Sequence, residues 1–220
     1  MKGLLKKDFF LISKYMRFLL IYLVLFSAIF AISSKSVSGG LRSAMTVISI
    51  LLPMYTVTTL SMDETSKWNS MAISFPVTRR QIIGSKYLLA LIMLGIGAVL
   101  GMVCSGLIVL IGGNNGPSLG ENLMISGGLI LYNIAMLSVL FPLIYKFGTE
   151  KSRIMMLGVY LVPMIFFLII FNMFKKVGFP KLALVPESIG GIVVGVIVLM
   201  AAVFMVSFLI SVRIFTKKEF

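Results

Sequence analysis

Apolar residues in this chain neither alternate nor keep to one helical face. They come in long runs separated by short polar segments. A helix that crosses the hydrocarbon core of a bilayer needs roughly 20 mostly apolar residues. Six runs meet that requirement, at about 18–34, 43–62, 87–112, 123–145, 154–174 and 189–212. The pattern predicts an all-α integral membrane protein, a bundle of six transmembrane helices forming one domain over 1–220. The run 87–112 is long enough to tilt or to project beyond the membrane.

The polar segments between the runs give an orientation. With the N-terminus inside, the inner segments hold fifteen basic residues, among them Lys2, Lys6, Lys7, Lys67, Arg79, Arg80 and Lys86. The outer segments hold five: Lys35, Arg42, Lys175, Lys176 and Lys181. The excess of basic residues on the inner side places both termini in the cytoplasm. The outer loops 35–42, 113–122 and 175–188 are too short for a folded domain, so the inner loop 63–86 carries the most information.

Before the first run, residues 2–19 read as an amphipathic helix lying on the inner leaflet, an interfacial helix over about 1–17. Lys2, Lys6, Lys7, Ser13, Lys14 and Arg17 share one half of the wheel, and Leu4, Leu5, Phe9, Leu11, Ile12, Tyr15, Met16 and Leu19 the other. Phe10 and Asp8 fall on the wrong sides. Asp8 is either a first-turn acid favoured by the helix dipole or a polar contact to another cytoplasmic element. The apolar run that follows is longer than a signal-peptide core and has no small-residue cleavage site, so it reads as a retained span.

Composition fits this picture and removes other classes. Hydrophobic residues make up 59% of the chain and charged ones 12%, against roughly a quarter charged in a soluble domain. The net charge of +13 would suggest nucleic acid in a soluble protein. Here the basic residues flank apolar runs, and membrane lipids with anionic headgroups explain them. The single cysteine, Cys104, excludes an intrachain disulfide, and the absence of histidine removes His-based triads and the common metal sites. No HExxH or GxxxxGK[ST] motif occurs, since Gly84-Ser85-Lys86 and Gly148-Thr149-Glu150-Lys151-Ser152 lack the phosphate-loop spacing. The chain is therefore not expected to be an enzyme, to hold a cofactor or to hydrolyse nucleotide itself.

No Asp, Glu, Lys or Arg falls in the middle of a run. Arg17, Arg42, Lys86, Arg153 and Arg213 lie near ends, from which they can snorkel to the interface. An ion-coupled carrier would usually place an ionisable group at membrane depth. The interior polar residues are mild. Tyr55, Thr56, Thr59 and Asn133 either hydrogen-bond between helices or line a mostly apolar translocation path. The rows Gly97-Gly101-Ser105 and Gly191-Gly195 allow close helix approach, within one chain or between two.

The inner loop opens with Asp63-Glu64-Thr65-Ser66-Lys67-Trp68. The second helix is expected to continue here, with Asp63 facing Lys67 and Glu64 facing Trp68 at i,i+4. Phe75-Pro76 marks a turn. Thr78 and Gln81 fit a capping box, so a new helix should start at about Arg79 and run into the third span. The pattern DE…KW…FPVTRRQIIGSKYL between the second and third of six spans resembles the permease subunits of type-2 ABC exporters, as does the start Met1-Lys2-Gly3-Leu4-Leu5-Lys6-Lys7-Asp8-Phe9. More narrowly, it resembles the small bacterial permeases that include exporters of phenol-soluble modulins and other antimicrobial peptides.

That resemblance implies a single permease domain in the bacterial cytoplasmic membrane, two permease copies in a homodimer or related heterodimer, and separate ATP-binding cassette ATPase subunits that hold ATP and Mg. It implies that Asp63, Glu64, Lys67, Trp68, Phe75, Pro76, Thr78, Arg79 and Arg80 meet the ATPase as a coupling elbow. Lys146, Glu150, Lys151 and Arg153 would form a second contact. The expected cargo is an amphipathic peptide, lipid or drug-like molecule moving outwards. A different class stands beside it: a membrane scaffold or peptide-immunity protein that transports nothing.

Overall fold

The computed structural model describes residues 2–34, 37–112, 119–149, 151, 158–159 and 186–217. Among them the regular structure is helical: α1 Lys2–Ser34, α2 Val37–Thr65, α3 Trp68–Ile73, α4 Arg79–Gly112, α5 Leu119–Phe147 and α6 Pro186–Thr216. Among the described residues, four helices are long and apolar enough to cross a membrane: Met45–Thr65, Arg79–Val103, Gly120–Phe147 and Val194–Thr216. They correspond to the second, third, fourth and sixth apolar runs. The first run is helical as the second half of α1, with no break between it and the amphipathic stretch before it. At about 1.5 Å per residue, the 33 residues of α1 extend well beyond a hydrocarbon core of ~30 Å. The expected fifth span, 154–174, lies outside the described residues except for 158–159.

The chain divides into two compact units, one reaching from α1 to Asn133 of α5 and the other from Ile134 to α6. In the first unit α2 is the central helix, packed against α1 and α4. Its buried positions Met45, Ser49, Leu52, Thr56, Thr59 and Asp63 recur every three or four residues and form one stripe. Ile48 and Leu52 of α2 close a core with Ile12 of α1 and Leu89 and Met93 of α4. Gly97 and Gly101 of α4 lie against this stripe. A Cβ at Gly97 would stand 3.7 Å from Leu52 Cδ1 and 3.8 Å from Ser49 Cα, and one at Gly101 3.7 Å from Met45 Cγ. Gly97 and Gly101 thus serve intrachain packing, letting α4 approach the α2 backbone. Asn133 adds a polar tie, its Nδ2 donating to the Ser49 carbonyl at 3.0 Å and to the Leu129 carbonyl at 2.7 Å.

In the second unit the end of α5 packs on α6. Ser207 Oγ donates to the Ser138 carbonyl at 2.7 Å, and Tyr145 meets Phe215 edge to face at 5.7 Å between centroids. Ser207, Ser211 and Phe215 form a narrow buried stripe on α6, while Val198, Leu199, Val206 and Ile210 are exposed apolar residues. α5 stops at Phe147 because Gly148 takes φ 81°, and its N–H caps the Ile144 carbonyl at 2.9 Å. That is the left-handed helix ending that glycine favours.

Candidate functional site

The elbow between α2 and α4 is built by local chemistry. α2 ends where hydroxyl groups turn back on the helix: Ser66 Oγ donates to the Met62 carbonyl at 2.7 Å and Thr65 Oγ1 to the Ser61 carbonyl at 3.1 Å. Such back-bonding competes with helix continuation. Lys67 follows with φ 52°, the non-glycine residue with positive φ among the described residues. That conformation costs a non-glycine residue of the order of 1–2 kcal/mol and separates α2 from the six-residue α3. After α3, Val77 N–H bonds the Phe75 carbonyl at 2.6 Å across Pro76, a three-residue turn. Thr78 and Gln81 then close the expected box. Thr78 N–H donates to Gln81 Oε1 at 3.2 Å, and Gln81 N–H to Thr78 Oγ1 at 3.3 Å. α4 begins at Arg79, as the sequence predicts.

One expectation fails here. Asp63 does not pair with Lys67, because α2 breaks between them and Lys67 is exposed. Asp63 instead turns into the helix bundle. Its Oδ1 lies 2.6 Å from Lys7 Nζ of α1 and its Oδ2 2.6 Å from Lys86 Nζ of α4. Asp8 of α1 completes the figure, its Oδ1 standing 2.7 Å from Lys86 Nζ and 3.4 Å from Lys7 Nζ. Positive and negative groups alternate around this closed ring of four, which joins three helices. Lys86 spends its remaining donor on Thr59 Oγ1 at 3.3 Å. Thr59 donates in turn to the Thr56 carbonyl at 2.8 Å.

Burial gives the ring its energetic weight. The side chains of Asp8, Asp63 and Lys86 are 1%, 5% and 4% exposed, and that of Lys7 is 25% exposed. A buried ion pair contributes little net stability over an apolar replacement of the same shape. Removing one partner, however, strands a desolvated charge. Lys86 is therefore not a snorkelling end residue, as its position near the start of the third run suggested. Asp8, misplaced on the wheel, makes the polar contact to another element. Its Oδ2 is buried without a hydrogen-bond partner.

The ring reaches the elbow through Lys7. Its ammonium lies 4.3 Å from the centroid of Trp68 on α3, a cation–π contact. Trp68 stacks on Phe75 at 6.2 Å between centroids. The remaining elbow residues face outwards. Glu64, Lys67, Phe75, Pro76, Thr78 and Arg80 are exposed and Arg79 is half-buried. Met71 joins them as an exposed apolar residue. Of the expected second contact, Lys146 is exposed with its Nζ 5.1 Å from the Phe147 ring centroid, and Lys151 is exposed. Glu150 and Arg153 lie outside the described residues.

The interior polar residues divide similarly. Thr56, Thr59 and Asn133 are buried and Tyr55 is half-buried. Asn133 makes the interhelical bond anticipated for it. Thr56 Oγ1 and Asn133 Oδ1 are buried without partners. Reading by sequence did not find the union of Lys7, Asp8 and Lys86 with Asp63. The one local signal was Asp8 on the apolar side of its helix.

Long apolar helices in antiparallel contact, joined by a polar elbow, define a multi-pass membrane protein. A family model described as ABC-2 family transporter protein matches residues 3–216, and the chain belongs to this family. Its members are the transmembrane permease components of ABC transporters and are not themselves catalytic. No curated protein and no solved structure matches the chain.

Proposed function

We propose that the chain is the permease subunit of an ATP-driven exporter in a bacterial cytoplasmic membrane. It works as one of two permease copies, with both termini on the cytoplasmic side. A separate ATP-binding cassette subunit binds ATP and Mg and docks on the elbow, with Lys146–Arg153 as the lesser contact. The cargo is an amphipathic peptide of the phenol-soluble modulin kind, a lipid or a drug-like molecule. Thr56 and Asn133, each with a buried unpartnered oxygen, are polar groups that a mostly apolar path beside Tyr55 and Thr59 would offer it.

The observation that carries this reading is the build of the elbow. It is a short helix between a hydroxyl-terminated helix end and a capping box, with Glu64, Lys67, Phe75 and Arg80 turned outwards. A segment held this way passes on a push that a slack loop would absorb.

The test is purification of the tagged chain from its native membranes, followed by an assay for vanadate-sensitive ATP hydrolysis. The chain has no nucleotide-binding motif of its own, so hydrolysis reports the partner. Arg79→Glu with Arg80→Glu should reduce copurified activity at least tenfold while leaving membrane insertion unchanged. Insertion without any associated ATPase in the wild type would support a non-transporting scaffold or immunity protein instead.

A further inference from the structure

The four-charge ring has a geometry that the docking of an ATPase on the elbow does not require. Lys7 and Asp8 belong to α1, which is separated in sequence from the elbow by the whole of α2. They are nevertheless joined to both of its arms, to α2 through Asp63 and to α4 through Lys86. Lys7 also lies against Trp68 of α3. The ring thus joins both arms of the elbow to a helix that lies outside it, and touches α3 through Lys7.

We infer that Lys86 and Asp8 are positioning residues that lock the N-terminal part of α1 to the elbow. A displacement of α3 then moves the adjoining ends of α1, α2 and α4 as one body. The inference rests on the permease reading above. Its physical basis is that each bond in the ring holds a desolvated charge. Letting α1 slip against α4 would break the Asp8–Lys86 bond and leave the buried Asp8 carboxylate only the 3.4 Å contact with Lys7 of its own helix, so the contact separates only at high cost. The packing of Ile12 against Leu52, Leu89 and Met93 next to the ring holds the same three helices in register. α1 becomes a second lever, driven through charge rather than through its connecting loop.

The experiment uses the full chain with its copurified ATPase, with Cys104→Ser as background. Spin labels are placed at Phe10→Cys on α1 and Ser70→Cys on α3, both exposed. Labelled chain is diluted with unlabelled chain, so that the distance read is intrachain. In the wild-type ring the distance should be narrow and the same before and after trapping with ADP and vanadate. Asp8→Asn, which keeps the Asp63–Lys86 bond, should leave it narrow at rest and shift or broaden it on trapping. Lys86→Gln should do so more strongly, and Lys86→Arg should restore the wild-type result. A purely structural role would lower yield and thermal stability alike in both nucleotide states, without a nucleotide-dependent shift.

A wild-type distance that changes on trapping overturns the inference even if no variant folds. So does an Asp8→Asn protein indistinguishable from wild type in both states. In either case, ATPase activity that still copurifies with the wild-type chain leaves the permease reading standing. Absence of that activity in the wild type removes both.

Discussion

The elbow end of the first unit and helix α6 of the second stand at opposite extremes of how a membrane helix can be held. At the elbow, α2 is buried along a stripe that mixes apolar and polar residues, turns wholly polar from Thr56 on, and ends in a closed ring of ions. α6 is apolar on nearly every face, and its narrow buried stripe contains Ser207, Ser211 and Phe215. Burial of apolar surface gives little drive for helix association in lipid, because the tails are as apolar as the side chains. What fixes one helix against another is close packing and polar bonds. The first unit uses both, through Gly97 and Gly101 against α2 and through the ring. α6 has contacts such as the Ser207 bond and the Phe215 ring pair, and its exposed apolar residues, among them Val198, Leu199, Val206 and Ile210, are suited to lipid or to a second copy of the chain.

The comparison breaks first at Lys86. Lys86→Met removes the buried cation and leaves the carboxylates of Asp8 and Asp63 with Lys7 alone, at 3.4 and 2.6 Å. We expect a loss of about 3–5 kcal/mol, read from unfolding in mixed micelles of mild detergent and dodecyl sulfate. A loss under 1 kcal/mol would put the ring on a par with α6. Gly97 comes next. An alanine there meets Leu52 and Ser49 at ordinary contact distance and should be tolerated, whereas Gly97→Leu overpacks the α2–α4 seam and should cost about 1–3 kcal/mol by the same measurement.

A smaller effect is expected at the restart of α4. Thr78→Ala removes one half of the capping box and should cost about 1 kcal/mol. Its signature is faster amide exchange at Gln81 and Ile82 than in the wild type. Smallest of all are Val198→Ala and Leu199→Ala on α6, each expected within about 0.5 kcal/mol of wild type. A large loss at either would show that α6 has a specific partner in the purified protein.

How much could be read in advance depended on the range of each interaction. The helix start at Arg79, the turn at Pro76 and the Thr78–Gln81 box are contacts between residues at most three apart, and propensity alone indicates them. The end of α2 was missed for the opposite reason. Nothing in Asp63-Glu64-Thr65-Ser66-Lys67 obliges Lys67 to adopt a left-handed conformation, and a Lys four residues after an Asp is a good helical pair. Asp63 had stronger partners elsewhere. The pull of Lys7 and Lys86 on its carboxylate competes with the local pair, and such partners have no fixed spacing in the chain.

The sequence by itself determined that this is a multi-pass helical membrane protein, because runs of some twenty apolar residues satisfy their backbone polar groups in lipid only as helices. It determined the elbow, because turn and cap chemistry is local. It also marked Asp8 as out of place, without saying why. Only the tertiary structure decided that the answer lies in α4, where Lys86 draws Asp8 and Asp63 together. The reason is electrostatic. A charge removed from water must find its opposite in three dimensions, and the residue that supplies it is 78 positions away.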